Sequence, residues 1–274
     1  NVITIEKLKD IPETDAVLIG SPHKLHPSHL HYFVKKKNYI YCEKPVAIDV
    51  KGLNFLKENV IKYKNKSNIM IGFNRRFAPL IQKLKQLDHF KNQKLEITYR
   101  VNFGQYIQNN LTDEKIGGGR IIGTCCHYVD LIAYISDSQI VEVSAFGVKN
   151  IDGTQNENTF SALLRLSNGS VATLIFTSLG ERKYYAKESI YISGNRMIAY
   201  INDFHTLSIN GKTYRNYLNN YGALNCWKTF FNVVNKKKKS PISLSDGIKA
   251  TEVTLAIKKS LKNNGKLQKI NSLN

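Results

Sequence analysis

The run Asp15-Ala16-Val17-Leu18-Ile19-Gly20 is apolar without alternation and bounded by polar residues, the pattern of a strand buried on both faces of a parallel sheet. Leu30, Phe33 and Val34 then recur at helical spacing and predict a helix over 26–37, followed by a second short strand, Tyr39-Ile40-Tyr41-Cys42. Asp49 stands where it caps a further helix carrying Leu53, Phe55, Leu56 and Val60, and Asn68-Ile69-Met70-Ile71-Gly72 reads as the next strand. Strands and helices alternating in this way build right-handed βαβ units. Residues 1–73 are therefore expected to be the C-terminal part of a Rossmann-like, doubly wound domain. The glycine-rich turn after a first strand and the acidic residue about twenty positions later, which hold the adenosine half of a dinucleotide, are not in this stretch.

After Phe77 the period changes. A helix is expected over 78–87, and then Leu95, Ile97, Tyr99, Val101 and Phe103 alternate with polar partners, as in a half-buried strand. Similar strands are predicted at 140–147, 159–166, 171–177, 189–193, 197–201 and 207–209, with turns at Ser167-Asn168-Gly169, Ser193-Gly194-Asn195 and Asn210-Gly211. Residues 74–274 are thus expected to form an α/β domain for substrate binding and oligomerisation, built on an open, mostly antiparallel sheet. Its covered face falls to the helix after the glycine triplet and to two C-terminal helices over 223–235 and 245–261. Leu224, Trp227, Phe230, Phe231 and Val234 make an apolar stripe on the first of these, read as core packing. A second copy of the chain is the candidate cover for the other face.

Composition narrows this picture. With 274 residues and 42% hydrophobic content the chain can bury the cores of two domains. No apolar run approaches bilayer length and no export signal precedes the first strand, so a cytoplasmic location is expected, with no membrane partner. The four cysteines, Cys42, Cys125, Cys126 and Cys226, form no Cys-x-x-Cys pair and are read as reduced thiols, and no metal site is expected. The net charge of +19 is spread along the whole chain with no nucleic-acid recognition motif. It argues against a nucleic-acid partner and is compatible with an anionic small substrate.

Two stretches carry candidate chemistry. Cys42-Glu43-Lys44-Pro45 ends a strand in a turn whose proline keeps Lys44 out of the helical region and so aims its amine. The second runs Gly117-Gly118-Gly119-Arg120-Ile121-Ile122-Gly123-Thr124-Cys125-Cys126-His127-Tyr128-Val129-Asp130. Its glycines permit a close backbone approach before a helix begins, and His127 and Asp130 share one helical face. A histidine oriented by an aspartate exchanges protons near neutral pH, and Lys44 could serve the same hydroxyl.

Together with Ser21-Pro22-His23-Lys24-Leu25-His26 and Gly72-Phe73-Asn74-Arg75-Arg76-Phe77, these two stretches resemble, in order and over most of the chain, the Gfo/Idh/MocA family of nicotinamide-dependent sugar oxidoreductases. Within it, Gly117 to His127 and Phe176-Thr177-Ser178-Leu179-Gly180 are most similar to the C-terminal module of bi-domain oxidoreductases, which tend to occur with bacterial surface-polysaccharide genes. The resemblance implies NAD or NADP as cofactor and a sugar or nucleotide sugar as substrate. It implies Lys44 and His127 as the catalytic pair and Ser21, Pro22, His26, Glu43, Lys44 and Asn74 on the nicotinamide half of the cofactor. Arg75, Thr124 and Asp130 would face substrate.

Two departures accompany the resemblance. Many members carry an aspartate four residues before the histidine, where this chain has Gly123, and the bi-domain pattern has glutamate where this chain has Thr124. The start at Asn1 is expected to lie mid-domain, on the order of 60 to 90 residues beyond the usual beginning. A catalytically silent scaffold of the same fold and a polyanion binder are the competing readings.

Overall fold

The computed structural model describes residues 4–36, 38–63, 68–87, 89–104, 109, 112–153, 155–181, 183–217 and 220–270. Asn1, and Lys37 at the expected end of the first helix, lie outside them. Strands β1 (Ala16–Ile19), β2 (Tyr39–Cys42) and β3 (Asn68–Ile71) pair in parallel in the order β1-β2-β3, with α1 (His26–Val34) and α2 (Val50–Asn59) as crossovers. The register sets Ile19 opposite Cys42 and Cys42 opposite Ile71, so the three strands end level. Asp49 caps α2 as its position predicts, its carboxylate accepting from the Gly52 N–H at 2.7 Å. β2 and β3 are buried along most of their length, whereas β1 is an edge strand with Leu18 52% exposed, so the expected burial of β1 on both faces is not found.

The chain continues through α3 (Pro79–Gln86), β4 (Glu96–Asn102), α4 (Gly119–Gly123), α5 (Cys126–Ser136), β5 (Ile140–Lys149), β6 (Gln155–Leu166), β7 (Val171–Thr177), β8 (Glu188–Gly194), β9 (Met197–Asn202), β10 (Thr206–Ile209) and β11 (Lys212–Arg215), then α6 (Ala223–Asn235), α7 (Leu244–Lys262) and β12 (Gln268–Lys269). Among the described residues the second sheet has nine strands in the order β11-β10-β9-β8-β4-β7-β6-β5-β12. β4 pairs in parallel with β7 and every other pairing is antiparallel. The Asn210-Gly211 turn joins β10 to β11 with φ of 42° and 86°, the left-handed pair that a two-residue hairpin turn requires.

One face of this sheet is covered. α7 lies on β5 and β6 and reaches across to β3 and α2, and α5 lies on β4 and β7. A capping box between Ser243 and Asp246 starts α7, and Leu244, Ile248, Val253, Ile257 and Leu261 bury its inward side. A single hydrophobic cluster therefore runs from the small sheet into the large one.

α6 departs from the expected arrangement. It packs on the segment Asn74–Phe77 and on Tyr41 instead of on the large sheet. Gly222, at φ 84°, admits this approach, because a Cβ there would lie 2.3 Å from the Asn74 carbonyl oxygen. Of the stripe read as core, Phe230 is buried, Trp227 and Val234 are half-buried, and Leu224 and Phe231 are 61% and 54% exposed.

The other sheet face is open. Leu163, Thr173, Thr98, Tyr191 and Tyr200 stand directly opposite one another across β6, β7, β4, β8 and β9. Leu163 and Tyr191 are 58% and 46% exposed, and the Tyr191 and Tyr200 rings stack at 4.3 Å. Among the described residues no helix is long and apolar enough to cross a membrane.

Candidate active site

Because the three parallel strands end level, the residues that follow them meet at one edge. The Glu43 N–H donates to the Ile19 carbonyl at 2.9 Å and the Gly72 N–H to the Cys42 carbonyl at 2.9 Å, which carries the strand order one step into the turns. Lys44 comes next, half-buried, with a cis peptide to Pro45. Its ammonium donates to the carbonyl of Gly123 at 2.7 Å. Beneath it, Glu43 receives a 3.4 Å hydrogen bond from the Tyr41 hydroxyl, and burial pushes its carboxyl up from the ordinary range. Gly72 leaves the room these groups occupy: a Cβ there would stand 2.8 Å from the Tyr41 hydroxyl oxygen and 3.1 Å from a Glu43 carboxylate oxygen.

The turn after β1 is braced from inside. His26, fully buried, sets Nδ1 2.7 Å from the Pro45 carbonyl and Nε2 2.9 Å from the Ser21 carbonyl, tying this turn to the Lys44 turn. Burial lowers its pKa, and the neutral ring has one N–H to donate to one of these two carbonyls, so His26 lies between the two turns and braces them. Ser21 is half-buried with its hydroxyl 3.0 Å from His29 Nδ1, and Pro22 is exposed at the rim.

The glycine triplet supplies the opposite wall. Gly118 and Gly119 have φ of 85° and 70°, and the Asp113 carbonyl accepts from the N–H groups of Gly117, Gly118 and Gly119 at 2.8, 3.0 and 3.3 Å. The loop docks on the turn after β1 through His23, whose Nδ1–H donates to the Gly117 carbonyl at 2.8 Å. Burial pushes the His23 pKa down to about 4, aided by the nearby charges of Lys44 and His26. The sequence motif contains His23, but nothing in its spacing announces a partner 94 residues away.

α4 ends at Gly123, and Thr124, half-buried, links it to α5, its carbonyl accepting from the His127 N–H at 3.2 Å. His127 is half-buried, faces the edge of Phe73 at 6.1 Å between centroids, and keeps Nδ1 buried with no hydrogen-bond partner. Burial, then the positive charges of Lys44, Arg75 and Lys187, hold its pKa well below the ordinary imidazole value. The ring is neutral at pH 7 and able to take a proton.

Two expected partners are placed differently. Asp130 does not orient His127: both its oxygens accept from Arg76, at 2.6 and 2.9 Å, and Arg76 reaches Asp246 at 3.2 Å. This group lines a separate cavity of about 170 Å³ between α5 and α7. Arg75 is 7% exposed and committed to a bidentate pair with Glu188, from Nε at 2.9 Å and Nη2 at 2.5 Å, while the Tyr99 hydroxyl also donates to Glu188. Its guanidinium lies 5.0 Å over Tyr128 and 5.4 Å from the Tyr221 ring. Two of its three side-chain nitrogens are thus held by Glu188. Asn74 donates to the Tyr221 carbonyl at 2.8 Å and so fixes the chain entering α6. Trp227 stacks at 4.2 Å on Tyr41, which no periodicity could have shown.

Residues 2–73 match the model of the oxidoreductase family with an NAD-binding Rossmann fold, and residues 93–199 match the model of the GFO/IDH/MocA C-terminal domain. The chain belongs to the Gfo/Idh/MocA oxidoreductases. Among curated members of this family, it is 23% identical over 181 residues to 1-carboxy-3-chloro-3,4-dihydroxycyclo hexa-1,5-diene dehydrogenase of Comamonas testosteroni, covering 63% of this chain and 44% of that protein. It is 24% identical over 199 residues to myo-inositol 2-dehydrogenase of Thermotoga maritima, covering 70% of this chain and 58% of that one. The chain thus spans about half the length of the curated relatives it matches. A levoglucosan dehydrogenase solved with NADH and levoglucosan superposes with a TM-score of 0.78 at 18% identity, covering 96% of this chain and 82% of that one. That likeness establishes the shared fold.

Ser21, Glu43, Lys44 and Asn74 stand half-buried around the open strand ends, and Gly20 has nothing within 4 Å of where a Cβ would be. The Nδ1 of His127 is buried without a hydrogen-bond partner. Among the described residues no glycine-rich pyrophosphate turn follows a strand, and no group of metal-binding side chains occurs.

Proposed function

We propose that the chain forms the nicotinamide-facing and substrate-binding part of an NAD(P)-dependent dehydrogenase acting on a secondary hydroxyl of a sugar or polyol, with nucleotide-linked sugars of surface-polysaccharide synthesis as its natural class. The observation that carries this is the bond from Lys44 to the Gly123 carbonyl. It brings an amine aimed from the nucleotide-binding sheet onto the same backbone turn that presents a neutral His127.

In this reading the Lys44 ammonium holds the substrate oxygen and stabilises the charge that develops on it, and His127 takes the hydroxyl proton. Bound nicotinamide supplies the hydride acceptor. Ser21, Pro22, Glu43 and Asn74 border that position, with His26 holding the two turns in place. Thr124 borders substrate, and Arg75 acts from below through its contacts with Tyr128 and Tyr221.

The relatives named for inositol and carboxycyclohexadiene-diol dehydrogenation support a ring-borne secondary alcohol as substrate. Such chemistry draws on the nicotinamide pool of the cytoplasm, where we place the protein, and its open sheet face is suited to a second copy of the chain. Replacing Leu163 and Tyr191 together by lysine is expected to convert a dimer to a monomer in analytical ultracentrifugation.

The testing experiment is titration of the chain with NADH and NADPH, followed by initial rates over a panel of polyols and nucleotide sugars. Cofactor binding with turnover that Lys44→Ala abolishes supports the proposal. A silent scaffold is favoured by the absence of a carboxylate at Gly123 and of a glycine-rich phosphate turn in this stretch, and it predicts that Lys44→Ala changes nothing.

A further inference from the structure

The five-residue helix α4 packs on α7 and β6, and both of its ends are tied to turns of the small parallel sheet. At its C-terminal end the Gly123 carbonyl accepts from Lys44 at 2.7 Å. Ahead of its N-terminal end the Ile116 carbonyl accepts from the Lys24 N–H at 3.2 Å, and the Gly117 carbonyl from His23 Nδ1 at 2.8 Å. Gly118 rests on the chain that leaves Pro45, since a Cβ there would stand 3.1 Å from the Ile48 side chain. His127 follows Gly123 by four residues. A helix of five residues is only about 7–8 Å long, so a shift of its front end is carried through to Gly123 and on to His127.

Asp113, half-buried, folds the stretch that makes the front tie. Its carboxylate Oδ1 accepts from the N–H groups of Lys115 and Ile116, both at 2.8 Å, and its backbone carbonyl accepts from those of Gly117, Gly118 and Gly119. Five consecutive N–H groups thus converge on one residue. In a trans peptide the C=O points away from the N–H of the same unit. Drawing the Gly117 and Gly118 N–H groups inward therefore turns the Ile116 and Gly117 carbonyls outward, towards Lys24 and His23. The carboxylate starts this turn with hydrogen bonds of the stronger, charge-assisted class.

We propose that Asp113 is a positioning residue for the pair Lys44 and His127: its carboxylate shapes the turn that pins the front of α4, and so fixes where the imidazole stands relative to the amine. The catalytic consequence rests on the dehydrogenase reading of the site, whereas the pinning is a property of the chain alone.

The test is NMR titration of the imidazole signals of the 274-residue chain labelled at histidine, with His23 and His127 assigned by substitution. In the wild type both rings titrate below the ordinary range, His23 at about 4. Asp113→Ala is expected to raise both by about one unit or more, because the freed turn no longer buries His23 and α4 no longer holds His127 in place. Asp113→Asn keeps an acceptor oxygen at the same position and is expected to leave both near the wild-type values. In initial rates on the best polyol or sugar, Asp113→Ala should lower kcat about 10- to 100-fold with KM little changed, and Asp113→Asn should retain most of the rate.

A His127 signal that keeps its wild-type titration in Asp113→Ala overturns the inference, whether or not His23 moves, because the tie would then position nothing. Equal loss of kcat in Asp113→Asn and Asp113→Ala overturns it as well, since the acceptor oxygen would not be what matters. If Asp113→Ala does not fold, Asp113→Glu decides: it keeps the charge but moves the acceptor one methylene away from the two N–H groups, and an unmoved His127 there overturns the inference. A folded chain without turnover on any polyol or sugar removes the dehydrogenase reading, and the two ring titrations still decide whether Asp113 fixes His127.

Discussion

The ammonium of Lys44 and the carbonyl of Gly123 lie 2.7 Å apart, joined across 79 residues of sequence. The bond links the turn after β2 to the residue four positions before His127, so the spacing of amine and imidazole is set by backbone on both sides.

Replacing Lys44 by methionine, which keeps the aliphatic stem, or His127 by asparagine should lower kcat by about 10²- to 10⁴-fold with little change in melting temperature. Because the His127 pKa is held below the ordinary imidazole value, kcat/KM should stay level as pH falls to 6.5 and drop only below it, when the ring takes a proton before the substrate can supply one. A pH–rate profile with its acid limb centred at or above 6.5 would remove His127 from the role of base.

Gly72→Ala places a methyl 2.8 Å from the Tyr41 hydroxyl oxygen and 3.1 Å from Glu43. Both groups sit directly under the Lys44 turn, so the substitution should cost about 1–3 kcal/mol by overpacking. It should also lower kcat more than stability alone explains. Comparison of urea denaturation with initial rates checks this, and a fully active Gly72→Ala enzyme would show that Glu43 does not position Lys44.

Glu188 is fully buried and its charge is answered by Arg75. Arg75→Met leaves that carboxylate unpaired and should cost about 3–5 kcal/mol, whereas the double change Arg75→Met, Glu188→Leu should recover much of the loss. A double-mutant cycle by chemical denaturation measures the difference. Additive single and double effects would show that the pair contributes no coupling.

His23 is buried with its pKa at about 4 against the ordinary 6.5. Between those values the unfolded chain binds a proton that the folded chain does not, so the stability linked to this group is intact above pH 6.5 and is lost as pH falls. Between pH 7.5 and 5 the loss should be about 2 kcal/mol. His23→Asn should shrink the acid-induced loss by that amount, measured as the difference between variant and wild type at the two pH values, so that Asp130, His26 and the other titrating groups cancel.

Much of the fold follows from local rules that act over a few residues. Asp49 caps α2 because a short acceptor before a helix meets an N–H three residues on, and Asn210-Gly211 turns because asparagine and glycine tolerate positive φ. The strands β1, β2 and β3 and the Glu43-Lys44-Pro45 turn after β2 were likewise readable from short apolar runs and a proline, whereas their level ends came from the register.

Partners distant in the chain were not readable. The spacing of His127 and Asp130 correctly places them on one helix, but which neighbour meets each depends on what packs there, and Arg76 reaches Asp130 from 54 residues away. Glu188 lies just before the strand predicted at 189–193 and gave no signal, yet it engages Arg75 across 113 positions.

The sequence by itself determined most of the elements, the division into a parallel and a mostly antiparallel sheet, and the candidate chemistry, because periodicity and turn preference are properties of neighbouring residues. The tertiary structure alone decided that β4 runs parallel to β7, that α6 crosses to Tyr41, that His26 lies between two turns and that Arg75 pairs with Glu188. Those outcomes are set by which buried charges and faces find each other once the chain is compact, a competition among long-range contacts that no short window of sequence contains.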